Sequence, residues 1–175
     1  MTNFASYPNL GGYPRLTQNH LDWLCAQGVS LSAVRGPPMI LLAHGVRAAD
    51  GCFEHDADGQ QWLAFPEHDD VIYWQPRSGE FATWNNRRFA LGEDAIHAAA
   101  TYSFGHCLNI LESPLEWLRA SRDGIVIVDW DQAFDRLRDV QRIAVVESLL
   151  SKLEHHLQPP RLPEIFVLPR REAVA

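Results

Sequence analysis

Lysine occurs once, as Lys152, so almost all of the positive charge is carried by arginine. The Lys and Arg residues number 15 against 22 Asp and Glu, a formal net charge of -7. A chain with that balance lacks the summed positive potential on which general nucleic-acid coats and membrane-surface proteins depend, and only a local basic patch stays open. Cysteine is scarce too. Cys25, Cys52 and Cys107 are odd in number and far apart, with no Cys-x-x-Cys pair. Neither a disulfide framework nor a cysteine zinc site is suggested, and buried free thiols are the expectation. No stretch approaches the roughly 18 apolar residues of a membrane-spanning helix. The segment MTNFASYPNLGG has neither the basic start nor the apolar run of a leader, so the expectation is a cytoplasmic protein without a membrane partner. Missing also are the Gly-x-Ser-x-Gly elbow, the Walker loop, GxGxxG and HExxH, so hydrolase, NTPase, dinucleotide and zinc-protease readings lack their motifs.

What is present is enough for one core. A chain of 175 residues, 46% hydrophobic, suits a single compact domain. Residues 1–16 carry Pro8, Gly11, Gly12 and Pro14 and read as an extended arm. Residues 17–100 read as a helix, capped by Thr17 and ended by Gly28, followed by an antiparallel β-meander. Its runs are MILLAH, QQWLAF, VIYWQ, EFATW and RRFAL, with TWNNRRF as its hairpin. Residues 101–170 alternate apolar runs (CLNIL, IVIV, IAVV, EIFVL) with amphipathic stretches. Ser113-Pro114-Leu115-Glu116 is a strong helix start with cap, proline and capping-box glutamate. The expected fold class is α+β or α/β, with an N-terminal helix and meander joined to a C-terminal parallel βαβαβαβ half-sheet of Rossmann or Toprim-like form.

In such a sheet the residues just past the strand ends face one crevice. Those positions hold Glu112, Asp129, Asp131 and Glu147, carboxylates that could converge on Mg²⁺. The same residues make ordinary helix starts. Asp129 with Gln132 is a capping pair, and Asp131 falls where the helix dipole favours negative charge. A Glu after one strand and Asp-x-Asp after another resembles the Toprim fold of primases and topoisomerases. The strings SPLEWLRASRDGIVIVDW and HLDWLCAQGVSL are similar to uncharacterised and primase-related segments of plasmids and prophages. Glu112 is followed by Ser113 rather than Gly, and Gln132-Ala133-Phe134 replaces the small-residue turn after the Asp pair. The resemblance therefore implies a degenerate core in a mobile-element setting.

Trp74, Arg77, Trp84, Arg87 and Arg88 mix basic and aromatic side chains as single-strand binders do, although alternating strand residues also divide that way between core and solvent. The histidines and carboxylates between His44 and Asp70 lack the spacing of a metal motif and read as a solvated acidic rim. The leading expectation is a non-catalytic accessory protein of a plasmid or phage, acting alongside nucleic-acid machinery through a protein partner. No cofactor is expected. Nucleic acid is open as a partner through the local basic-aromatic patch. The alternatives are an acidic inhibitor of a host nucleic-acid-binding defence enzyme, or a Mg²⁺-dependent phosphoryl-transfer enzyme of Toprim type.

Overall fold

The structure is a computed structural model and describes residues 7–159. Thr17 opens the first helix as its position in the sequence requires. Helix α1 (Gln18–Ala26) starts from extended backbone at Thr17, whose hydroxyl lies 2.6 Å from His20 Nδ1. The helix gives way to Gly28 at φ +84, a left-handed value that glycine adopts without a Cβ penalty. Helix α2 (Leu31–Arg35) follows, with Ser30 Oγ accepting from the Ala33 amide at 3.2 Å.

The main sheet contains β1 (Leu41–Arg47), β2 (Phe53–His55), β3 (Gln60–Pro66), β4 (Val71–Trp74) and β5 (Phe81–Thr83), antiparallel in the order β2-β1-β3-β4-β5. It curls into a half-barrel. Thr83 donates its amide to Gly51 O at 3.3 Å, and Cys52 bridges to Thr83, so the two edge strands meet. Close packing of β1 on β2 requires Gly45, where a Cβ would sit 2.2 Å from Glu54 O. Side chains alternate between faces along each strand. Leu41, Ala43, Phe53, Trp62, Ala64, Val71, Tyr73 and Ala82 form one core cluster, with Phe53 stacked on Tyr73 at 3.8 Å. Leu42, Leu63, Phe65, Ile72 and Trp74 pack with Leu24 of α1, Val34 of α2, and Trp117 and Leu118 of α3 (Pro114–Arg119). Leu10 and Tyr13 pack against this cluster on the first face. The Tyr13 hydroxyl stands 2.7 Å from that of Tyr73 and 2.8 Å from His55 Nε2.

The rest of the chain runs through β6 (Ala90–Leu91), β7 (Leu108–Ile110), α3, β8 (Val126–Ile127), α4 (Ala133–Leu137), β9 (Ile143–Val145) and α5 (Glu147–His156). Ser113 caps α3 with its Oγ accepting the Glu116 amide at 3.3 Å and Pro114 opens the helix, as its sequence specifies, while Glu116 Oε2 accepts the Glu112 amide at 3.0 Å and not that of Ser113 as a capping box would.

The expected Rossmann or Toprim-like half-sheet is not there. Among the described residues the only parallel sheet has two strands, β7 and β9, in register from Leu108↔Ile143 to Ile110↔Val145. β8 instead pairs antiparallel with β6, and a single parallel bridge between Ile110 and Ile125 links the two small sheets. The fourth expected strand, EIFVL, lies outside the described residues. The cause is that short apolar runs carry no mark of strand direction. RFAL does not close the meander as a hairpin with β5. Asn86 takes the positive φ of a turn (+55), but the chain swings away so that Ala90 and Leu91 meet Ile127 and Val126. Phe89, Ala90, Leu108, Ile110, Ile125 and Ile127 then form a core with Ala133, Leu137 and Leu153. Among the described residues no helix is long and apolar enough to cross a membrane.

Candidate functional site

Where the two ends of the half-barrel meet, a cleft of about 750 Å³ opens between the sheet and the turn after β8. Its walls carry Arg47, Asp50, Glu80, Phe81, Thr83, Asn86 and Arg88 from the sheet side, and Val128 to Asp131 from the other. Asn86 fixes the first wall. Its Oδ1 accepts from Thr83 Oγ1 at 2.7 Å, and its Nδ2 donates to Asp50 O at 3.1 Å and lies 3.2 Å from Cys52 Sγ. Arg47 Nε donates to Phe81 O at 3.0 Å. Burial, reinforced by Asp50, pushes the Cys52 thiol up, which keeps it protonated and a poor nucleophile. All three cysteines are free, as expected, but Cys25 is exposed and the other two are half-buried rather than buried.

The second wall starts from Asp129, which caps a short 3-10 turn at Trp130–Gln132. Its Oδ1 accepts the Asp131 amide at 3.1 Å and its Oδ2 accepts from Gln132 Nε2 at 2.7 Å. Asp131 is exposed, and its carboxylate has no hydrogen-bond partner among the described residues. The Asp-x-Asp pair therefore splits into a cap and a carboxylate open to the cleft. Glu112 and Glu147 are not with them. Glu112 lies past β7 and accepts from Ser148 Oγ at 3.2 Å, while Glu147 begins α5 at the equivalent position past β9. Among the described residues no group of three or more His, Cys, Asp or Glu is arranged to hold a metal ion.

The basic-aromatic residues are also divided. Trp74 is in the core and Trp84 is half-buried, its ring tilted against His55. Arg88 is 8% exposed. Its Nε lies 2.6 Å from Asp69 and its Nη1 3.2 Å from Asp94, with Glu93 at 3.8 Å. Burial works against the charged guanidinium, but Glu67, Asp69, Asp94 and Glu93 outweigh it and hold its pKa above the ordinary arginine value. Arg77 and Arg87 are exposed, Arg77 on the turn after β4.

Within the expected solvated rim, Asp70 is buried and Glu67 is half-buried. Asp70 is 0% exposed. Its Oδ1 accepts the amides of Val71, Trp84 and Asn85, and its Oδ2 those of Arg87 and Arg88. It thereby shapes the loop that forms part of the cleft. Its one sequence signal is that it abuts VIYW, a run with no polar residue to turn outward. Glu67 accepts the Gly92 amide at 2.9 Å. Burial lifts its pKa to about 7 against the opposing pull of that amide and of Arg88.

The cleft thus presents four carboxylates, Asp50, Glu80, Asp129 and Asp131, against two arginines, one of them already neutralised by its own acids. Such a surface attracts cationic groups rather than phosphates. No family model, curated protein or solved structure matches this chain closely enough to show kinship.

Proposed function

We propose that this chain is a non-catalytic accessory protein of a mobile genetic element, acting alongside nucleic-acid machinery by receiving a basic segment of a protein partner in the cleft at the barrel seam. The observation that carries this reading is Asp131. It is exposed on the cleft wall without a partner among the described residues, and Asp129, Asp50 and Glu80 line the same cleft, while Phe81 and Trp130 supply apolar contact. Arginine and lysine side chains combine an apolar stem with a charged head and match such a surface. The candidate carboxylates otherwise do the work of helix starts. Asp129 holds Asp131 N and Gln132 Nε2, and Glu112 is tied to Ser148. The mobile-element setting is supported by the resemblance of HLDWLCAQGVSL and SPLEWLRASRDGIVIVDW to plasmid- and prophage-borne segments.

Calorimetric titration with a short Arg- and Lys-rich peptide tests the reading. Binding should weaken steeply with salt, and by about tenfold in the Asp129→Asn, Asp131→Asn double variant. Absence of binding at low salt, or binding indifferent to both aspartates, would overturn it.

A further inference from the structure

A second groove, of about 780 Å³, runs between α1 and the start of β3, with the β4–β5 turn at one side. None of its lining residues is an Asp or Glu, although the chain has 22 of them. The carboxylates on the same segments are turned to other work, Asp22 accepting from Gln18 Nε2 and Glu80 from Ser78 Oγ. What lines the groove is Trp23, His20, Gln60, Gln61, Gln75 and Arg77, among others. Trp23 is a helix residue whose large side chain is 38% exposed. The Arg77 guanidinium has no ion-pair or hydrogen-bond partner among the described residues.

The polar groups are held in place by one another. Gln75 is buried, and its Oε1 accepts the amides of Arg77 and Ser78, which fixes the turn that presents Arg77. Its Nε2 donates to Gln60 Oε1 at 3.0 Å. His20 Nδ1 is occupied by Thr17, and its Nε2 lies 2.7 Å from Gln61 Oε1. With both carbonyl oxygens engaged, the amide NH₂ groups of Gln60 and Gln61 are left as donors without a partner among the described residues. The groove therefore offers an aromatic face, two amide donors and one guanidinium without a partner among the described residues, on a wall that bears no carboxylate of its own.

We propose that this groove binds a segment of single-stranded nucleic acid. A base stacks on Trp23, the Gln60 and Gln61 amides donate to acceptors on base edges, and Arg77 takes a phosphate. The site is separate from the acidic cleft and does not depend on the cleft's proposed role. The exposed indole that shares this groove with Arg77 comes from α1, not from the meander that carries Trp74 and Trp84.

The test is fluorescence anisotropy of a labelled oligothymidine of about 12 nucleotides, a length within the usual site size of small single-strand binders, titrated with the full chain. Thymine shows carbonyl acceptors to amide donors. Trp23→Ala should weaken binding by about tenfold or more. Arg77→Gln, on an exposed turn, should reduce the salt dependence by about one phosphate contact. An abasic strand of the same length should bind far more weakly. Failure of the parent chain to bind oligothymidine at low salt, equal binding of the abasic strand, or binding untouched by both substitutions in folded protein would overturn the proposal.

Discussion

The carboxylate of Asp70, out of reach of solvent, takes the backbone amide of Trp84 at 2.8 Å and so ties the start of β4 to the loop leaving β5. Four further amides converge on the same side chain. Asp70→Asn keeps the shape but replaces one acceptor oxygen with a donor, leaving amides of the 84–88 loop facing an NH₂ group. The expected loss is about 3 kcal/mol, since each stranded buried donor costs about 1–3 kcal/mol. Urea unfolding checks this, and a loss under about 1 kcal/mol would mean that water reaches the loop.

Glu67 makes stability fall as pH rises. Its carboxyl binds a proton more tightly in the folded chain, with a pKa of about 7, than its ordinary value of 4.5. Between those values the folded state holds more protons than the unfolded one, so the protonated group's advantage is complete below about pH 4.5 and is lost as pH passes 7. The total is on the order of 3 kcal/mol. Glu67→Gln keeps an oxygen for the Gly92 amide and removes the titration. The stability of the parent relative to this variant should drop between pH 5 and pH 8, and a parent that gained over that window would contradict the assignment.

Gly124 has φ +106, and a Cβ there would come within 2.3 Å of Asn109 O. The Ile125 amide donates to that same carbonyl at 2.8 Å, and with the Leu111 amide donating to Ile125 O at 2.9 Å this joins the β8 segment to β7. Gly124→Ala must therefore move backbone, not only a side chain. A loss of about 3 kcal/mol is expected, the sum of a left-handed alanine and an overpacked contact. A thermal melt within a degree or two of the parent would argue against that close approach.

Asp129 and Asp131 should behave differently although they stand two residues apart. Asp129→Ala strips the cap from the turn and should cost about 1 kcal/mol. Asp131→Asn should change stability by less than about 0.5 kcal/mol, because the side chain is exposed and its carboxylate accepts from no described residue. Any larger effect of Asp131→Asn on peptide binding then belongs to function. Equal costs for the two would remove the distinction between cap and open carboxylate.

The legible parts of this fold are those in which a local rule decides. Thr17 and Gly28 bound α1, Ser113 to Glu116 start α3, and Asp129 caps its turn, because each depends on residues within a few positions. Strand partners were not legible. GIVIV and RFAL are mates, but nothing in either run names the other, and an apolar pair of residues in β8 suits a parallel or an antiparallel neighbour equally. The site divided along the same line. Asp129 is legible as a cap because its partners lie within three positions, whereas the enclosure of Asp70 and Glu67 depends on loops folding over them from 14 or more residues away. The exposed Trp23 was hidden for the opposite reason: in a helical pattern it reads as part of the apolar face.

The bridge between Cys52 and Thr83 has a bearing on how this protein lives in a crowded solution. A five-stranded sheet left flat would present the free backbone groups of β2 on one side and β5 on the other, each a template on which another chain can add a strand. Here the two margins turn toward each other at the seam, and Leu10 and Tyr13 pack on the face between them. Exposed Glu54 and Glu80 stand on or beside those margins, where charge discourages a flat apolar mate. The main sheet thus brings its two margins together at Cys52 and Thr83, and substitutions that open this seam should first show as self-association rather than as loss of fold.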